Sequence, residues 1–131
     1  MAAESNDTDK LAVGILGCAR IAKKNASAVS FAFSLCKISA IASRTQEKAT
    51  DFVDEVFSDK EHKPTHIFSG VDAYDKLLAN KESCDAVYIP LPTKLHDAYV
   101  ATALRNKKHV LLEKPGNTTL VDIKFGSYID Y

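Results

Sequence analysis

The chain switches repeatedly between two hydrophobic periods, and this constrains its fold more than any other feature. Short apolar runs of strand length occur at Leu11–Leu16 (LAVGIL), 37–42 (KISAIA), 66–68, 85–89 (DAVYI) and 109–112 (HVLL). The segments between them repeat at the helical period. In the first, from 20 to about 34, Ile21, Ala28, Val29, Ala32 and Phe33 fall on roughly one face. The second, 48–57, is opened by Thr45 as N-cap and carries Ala49, Phe52, Val53 and Val56. The third, 72–79, turns Tyr74, Leu77 and Leu78 inward, and a fourth, capped by Thr93, aligns Leu95, Tyr99, Ala103 and Leu104. Strands separated by single helices cannot pair as hairpins and need crossovers, so the sheet is parallel and covered on both faces. The expected fold class is α/β, a doubly wound parallel sheet. Residues 1–9 read as a disordered lead-in, 10–131 as one domain and 58–64 as a surface loop.

Composition narrows the function classes. Seventeen basic residues balance seventeen acidic ones, which argues against a basic groove for nucleic acid. Cys18, Cys36 and Cys84 are odd in number and form no C-x-x-C, so neither a disulfide framework nor a metal site is expected. Reduced thiols imply a cytoplasmic setting. The first ten residues resemble neither a secretory signal nor a transit peptide, and no apolar run has membrane-spanning length, so no membrane partner is expected.

In doubly wound sheets ligands bind beyond the carboxyl ends of the strands. After the first run comes Gly17-Cys18-Ala19-Arg20-Ile21-Ala22, a G-x-G-x-x-G/A pattern with alanine at the second glycine position. Gly17 allows a tight turn, Ala22 allows close helix–strand packing, and N–H groups near Arg20 and Ile21 would face a pyrophosphate. Directly after a strand and opening a helix, this hexapeptide reads as the phosphate turn of a Rossmann-type NAD(P)-binding domain; the alternative is a small-residue turn without a ligand. Cys18 reads as a packing residue, since no partnered base accompanies it.

The end of the second run reads Ala42-Ser43-Arg44-Thr45, with no carboxylate before Glu47. A carboxylate there would accept from the ribose 2′-hydroxyl of NAD and repel a 2′-phosphate, whereas a hydroxyl and a guanidinium would bind that phosphate. The expected cofactor is therefore NADP, read by Ser43 and Arg44, with NAD as the alternative. A solvated arginine beside a helix start is the bland reading of Arg44.

The fourth run empties into Pro90-Leu91-Pro92-Thr93-Lys94-Leu95-His96, read as a lip over the cofactor's ribose and nicotinamide. His96, near a helix N-terminus, suits a neutral hydrogen-bonding role; a capping and packing cluster is the competing reading. The fifth run delivers Glu113-Lys114-Pro115. A strand-end lysine beside a cationic nicotinamide suits a hydrogen bond to a substrate oxygen, against the alternative of a solvated lysine.

AVGILGCARIA, AIASRTQEKA, YDKLL, DAVYIPLPTKLH and KHVLLEKP together resemble the Gfo/Idh/MocA family of NAD(P)-dependent oxidoreductases, over about 10–115. The wording is most similar to plant-type members. The resemblance implies that Lys114 is the active-site lysine beside nicotinamide and substrate, with Glu113 next to it. Thr93 stands where the family often has asparagine, and His96 matches the histidine that follows. It implies hydride transfer to or from a CH–OH group of a sugar-like, polyol or dihydrodiol substrate. It also implies a second, substrate-binding domain after E-K-P, of which 116–131 holds only a short capping-box-like start at Thr119 and Asp122. The expectation is a chain truncated after that motif. Its alternative role is a catalytically incompetent cofactor-binding module that associates with another copy or another subunit.

Overall fold

The protein, seen in a computed structural model, is described over residues 9–31, 35–57 and 62–113. Its elements run β1 (Leu11–Leu16), α1 (Arg20–Phe31), β2 (Cys36–Ser43), α2 (Gln46–Val56), β3 (His66–Ser69), α3 (Ala73–Ala79), β4 (Ala86–Ile89), a 3-10 turn (Thr93–Leu95), α4 (His96–Arg105) and β5 (His109–Leu112). The five strands form one sheet in the order β3-β2-β1-β4-β5, and every pairing is parallel. The chain starts at the centre, winds outward through β2 and β3, then crosses back to β4 and β5. The doubly wound α/β fold expected from the alternating periods is the fold observed.

Both faces of the sheet carry a core. Ile15, Ile38, Ile41 and Tyr88 pack with Ala22 and Ala26 of α1 and with Ala49, Phe52 and Val53 of α2. Leu16, Ala40, Ala42, Val87 and Ile89 pack with Leu77 and Leu78 of α3 and with Val100 and Ala103 of α4. Strict alternation would put Ile38 and Ile41 on opposite faces. They share one because the β1–β2 register slips between Val13 and Gly14, pairing Val13 with Ile38 but Gly14 with Ala40. Ser39 is the extra residue of this bulge. Its buried hydroxyl donates to the Ser83 carbonyl at 2.5 Å, and the Ser83 hydroxyl donates to Leu77 O at 2.7 Å. Each buried hydroxyl thus has a partner, as burial requires.

Three local expectations are corrected. The buried face of α1 is Ala22, Ala26 and the partly buried Val29, whereas Ile21 and Ala28 are exposed. Small side chains at i and i+4 let the helix approach the sheet closely, and this rotates the larger Ile21 outward. Thr93 does not cap α4 directly: it begins the 3-10 turn behind Pro92, and α4 starts at His96 without a side-chain cap. Val100, absent from the expected face, is buried with Ala103 while Leu95, Tyr99 and Leu104 pack around it. Thr45 does cap α2, its hydroxyl accepting from Lys48 N at 3.3 Å. Ala32, Phe33, most of the expected 58–64 loop, Lys114, Pro115 and the helix start at Thr119 lie outside the described residues. No helix among the described residues is long and apolar enough to cross a membrane.

Gly14 lies tightly against α3 and the turn that follows it. A Cβ there would stand 2.8 Å from Cys84 Sγ and 3.2 Å from Leu77 Cδ2. Gly14→Ala should cost about 1–3 kcal/mol through overpacking, read as a lower urea midpoint with an unchanged m-value.

Candidate functional site

Parallel pairing brings the ends of β1, β2, β4 and β5 to one edge. At the exit of β1, Gly17 has φ +99°, in the region that favours glycine. Its N–H donates to Ala42 O at 2.8 Å, so the turn stays tied to β2 as it leaves the sheet. A Cβ on Gly17 would stand 3.0 Å from Leu91 Cδ2, a close contact that a small shift of the leucine would relieve, so it is the backbone conformation that calls for glycine. Ala19, Arg20 and Ile21 are exposed beyond the turn, and Ala22 is fully buried beneath it. α1 starts at Arg20 with no acidic residue in its first turn. Its first N–H groups, which lack intrahelical acceptors, and the positive end of its dipole therefore point at the edge unopposed. These features fit a pyrophosphate.

Cys18 is half-buried, and burial pushes its thiol up despite the Ser43 hydroxyl beside it and the charges of Lys23 and Lys48. A thiol held neutral is a poor nucleophile, in keeping with its reading as a packing residue. Ser43 and Arg44, expected to act together, are separated by the fold. Ser43 is only 1% exposed; its carbonyl accepts from Gly70 N at 3.1 Å, and its hydroxyl accepts from Thr45 N at 3.5 Å. Arg44 is exposed. Its charge reaches Tyr74, whose hydroxyl is pushed up by burial while the guanidinium pulls the other way. Arg44 therefore stands at the end of β2 near the start of α3, and Lys48 adds a further cation from the capped start of α2.

At the exit of β4, Leu91 is buried against Gly17, while Pro92 and Thr93 are exposed. His96 does not reach the surface. At 1% exposure its Nε2 donates to Leu91 O at 2.6 Å, which requires the Nε2–H tautomer because a carbonyl can only accept. Its Nδ1 is buried without a hydrogen-bond partner. His96 thus holds the lip from beneath, and the turn it holds is the one that leans on Gly17.

Glu113 follows β5 directly, its N–H donating to Ile89 O at 3.2 Å. Its carboxylate accepts from the Tyr88 hydroxyl at 2.5 Å, and the same hydroxyl accepts from Asn25 Nδ2 at 2.6 Å. This relay joins α1, β4 and the start of the E-K-P motif. Burial first, and then the Glu113 bond, push Tyr88 up to about 12. Asn25, Tyr88 and Lys48 escape a sequence reading for different reasons. The alternation in DAVYI marks Tyr88 as buried but not its partners; Asn25, among lysines, reads as surface; Lys48, three places after the Thr45 cap, reads only as the start of a helical segment. Among the described residues no three His, Cys, Asp or Glu gather to hold a metal.

Residues 11–125 match the Gfo/Idh/MocA family, described as an oxidoreductase family with an NAD-binding Rossmann fold. The chain belongs to this family. A dTDP-3,4-didehydro-2,6-dideoxy-alpha-D-glucose 3-reductase of Actinomadura kijaniata is 38% identical over 114 residues, 86% of this chain and 30% of that protein. A D-xylose 1-dehydrogenase (NADP(+)) of Haloferax volcanii is 40% identical over 102 residues, covering 78% and 28% respectively. Among solved structures, KijD10, a 3-ketoreductase from Actinomadura kijaniata in complex with NADP and TDP-benzene, superposes with a TM-score of 0.73. Its identity is 33%, over 92% of this chain and 34% of that one. The present chain therefore spans about a third or less of the length of these Gfo/Idh/MocA relatives, and the span is the one that carries the Rossmann fold.

Tyr88→Phe should lower stability by about 1–2 kcal/mol, since it leaves Asn25 and Glu113 without the shared hydroxyl. The tyrosine stands above its ordinary value of 10 in the fold, so its contribution is complete below that pH and lost as the pH rises toward about 12. Urea midpoints between pH 8 and about 11 should accordingly fall less steeply in the variant than in the parent.

Proposed function

We propose that this chain binds NADP in preference to NAD and forms the cofactor-binding part of an oxidoreductase acting on the CH–OH group of a sugar-like, polyol or dihydrodiol substrate. The observation that carries the cofactor choice is Arg44, exposed at the end of β2 where no carboxylate stands to receive a free ribose hydroxyl. Ser43, turned inward, shapes the strand exit under the guanidinium and serves as the wall of this subsite. Gly17, Cys18, Ala19, Arg20 and Ile21 present backbone N–H groups and the helix dipole to the pyrophosphate. Leu91, Pro92 and Thr93 lie along the ribose with His96 pinning them, and Glu113 and, by the family resemblance, Lys114 serve the nicotinamide end. The dinucleotide, when bound, supplies the hydride donor or acceptor. Lys114, through its ammonium, holds or donates the proton at the substrate oxygen. The NADP in the names of the xylose dehydrogenase and of the ketoreductase complex supports this reading, and the sugar chemistry in both names supports the substrate class. None of the three cysteines is in a disulfide, which favours a cytoplasmic setting.

Association with a further domain or subunit is supported by apolar exposure at the same edge. Val71, just after β3, is 98% exposed and Ile21 41% exposed, the kind of surface that partners cover.

Titration with NADPH and NADH, followed by nicotinamide fluorescence, tests the cofactor reading. The parent should bind NADPH more tightly. Arg44→Asp should weaken NADPH by at least about tenfold and leave NADH within about threefold, because one charge-assisted phosphate contact is replaced by repulsion. An unchanged ratio of the two affinities would rule out Arg44 as the reader.

A further inference from the structure

The opposite edge of the sheet, where β4 and β5 begin and α3 and α4 end, holds a cavity of about 500 Å³. Lys81, Arg105, Lys107 and Lys108 line it, against the single carboxylate of Asp85. In a chain whose formal net charge is zero, this is a marked local excess. Asp85 is already engaged, its Oδ2 accepting from Ala12 N at 3.0 Å. Among the described residues none of the four cations forms an ion pair.

Lys108 is the informative member. It is only 5% exposed, and its Nζ donates to Asn80 O at 2.9 Å and to Cys84 O at 2.6 Å. Two neutral carbonyls orient an ammonium without neutralising it, and a buried charge without a counter-charge is costly. The neighbouring Cys84 thiol, pushed up by burial, supplies no anion. Lys81, Arg105 and Lys107 are exposed around it, and Lys107 adopts φ +60° at the turn between α4 and β5. Offsetting the negative end of α4 explains one cation of this group. It does not explain four, one of them buried, around a concavity.

We propose that this cavity is a second anion site, separate from the dinucleotide edge, that takes a small phosphate-bearing ligand. The ammonium of Lys108 forms its floor, and the Lys81, Arg105 and Lys107 side chains close on the phosphate oxygens, the guanidinium in paired fashion. The cavity volume lies in the range of small-ligand sites, about 300–1,000 Å³, and exceeds what a bare phosphate fills. The occupant is therefore a phosphorylated small molecule. Lys108 also ties the end of α3 to the entry of β4, while its backbone N–H donates to Ala103 O at 3.0 Å in α4. A bound anion braces both helices against β5.

Amide NMR titrations of the 131-residue chain with glucose 6-phosphate and with inorganic phosphate test this. Saturable shifts of the amides of Asn106, Lys107, Lys108 and His109, with a Kd below about 1 mM, support the site. Tighter binding of glucose 6-phosphate assigns the organic ligand; equal affinity assigns the site to the oxyanion itself. The double variant Lys81→Gln, Arg105→Gln changes only exposed side chains and should weaken these shifts at least about tenfold, while shifts around Gly17 from either anion stay unchanged. The proposal is overturned by shifts confined to the Gly17 turn, by sodium chloride of equal ionic strength reproducing the shifts, or by unaltered affinity in the double variant.

Discussion

The contact between Leu91 and Gly17 governs the geometry of the cofactor edge. Gly17 turns the chain out of the central strand in a backbone conformation that glycine adopts readily, and the Leu91 side chain lies close, its Cδ2 3.0 Å from where a Cβ would stand. The glycine turn after β1 and the turn after β4 thereby approach one another closely. His96 sets the other side of that contact by holding the Leu91 carbonyl. The start of α1, the exit of β2 and the lip are positioned by a sheet whose central strands are buried on both faces, so the edge is presented by a rigid support. Only side chains beyond the strand ends, such as Arg44, Pro92 and Thr93, face solvent there.

Polar groups inside this support do the aligning. The Ser39 and Ser83 hydroxyls satisfy a bulge that lets two isoleucines of β2 face α1 and α2 together. The Asn25–Tyr88–Glu113 relay anchors the residue before Lys114 to the first helix. A protonated tyrosine between an amide donor and a carboxylate acceptor satisfies all three groups at once, whereas its ionised form would meet the carboxylate as a like charge. The two ends of the sheet differ in the same terms. One edge offers backbone donors, a helix dipole and the exposed side chains of Arg20, Arg44 and Lys48; the other offers a buried ammonium and three exposed cations about a cavity.

How much was legible in the sequence varied with the range of the interaction. The five strands, the capped second helix and the glycine turn are local patterns, and each was read where it stands, within a residue or two at its ends. The family, too, was readable from motifs in register. The buried face of α1 was misread because a small-residue stripe and a large-residue stripe lay side by side, and only packing distance chose between them. Ser43 and Arg44 looked like a pair because they are neighbours in the chain. Successive residues at a strand end point in opposite directions, and this sent one inward and the other to solvent.

The sequence alone determined the order of elements, the parallel sheet and the set of residues delivered to its carboxyl edge, because hydrophobic period and turn chemistry are properties of adjacent residues. Only the tertiary structure decided what each delivered residue does there. It buried His96 beneath the lip, paired Glu113 with a tyrosine 25 residues away and that tyrosine with an asparagine 63 residues away. It also gathered cations from two separate connections, after α3 and at the end of α4, at the far edge. Such partnerships depend on strand register and helix rotation, which are settled by packing across the whole sheet and leave no periodic trace in the chain.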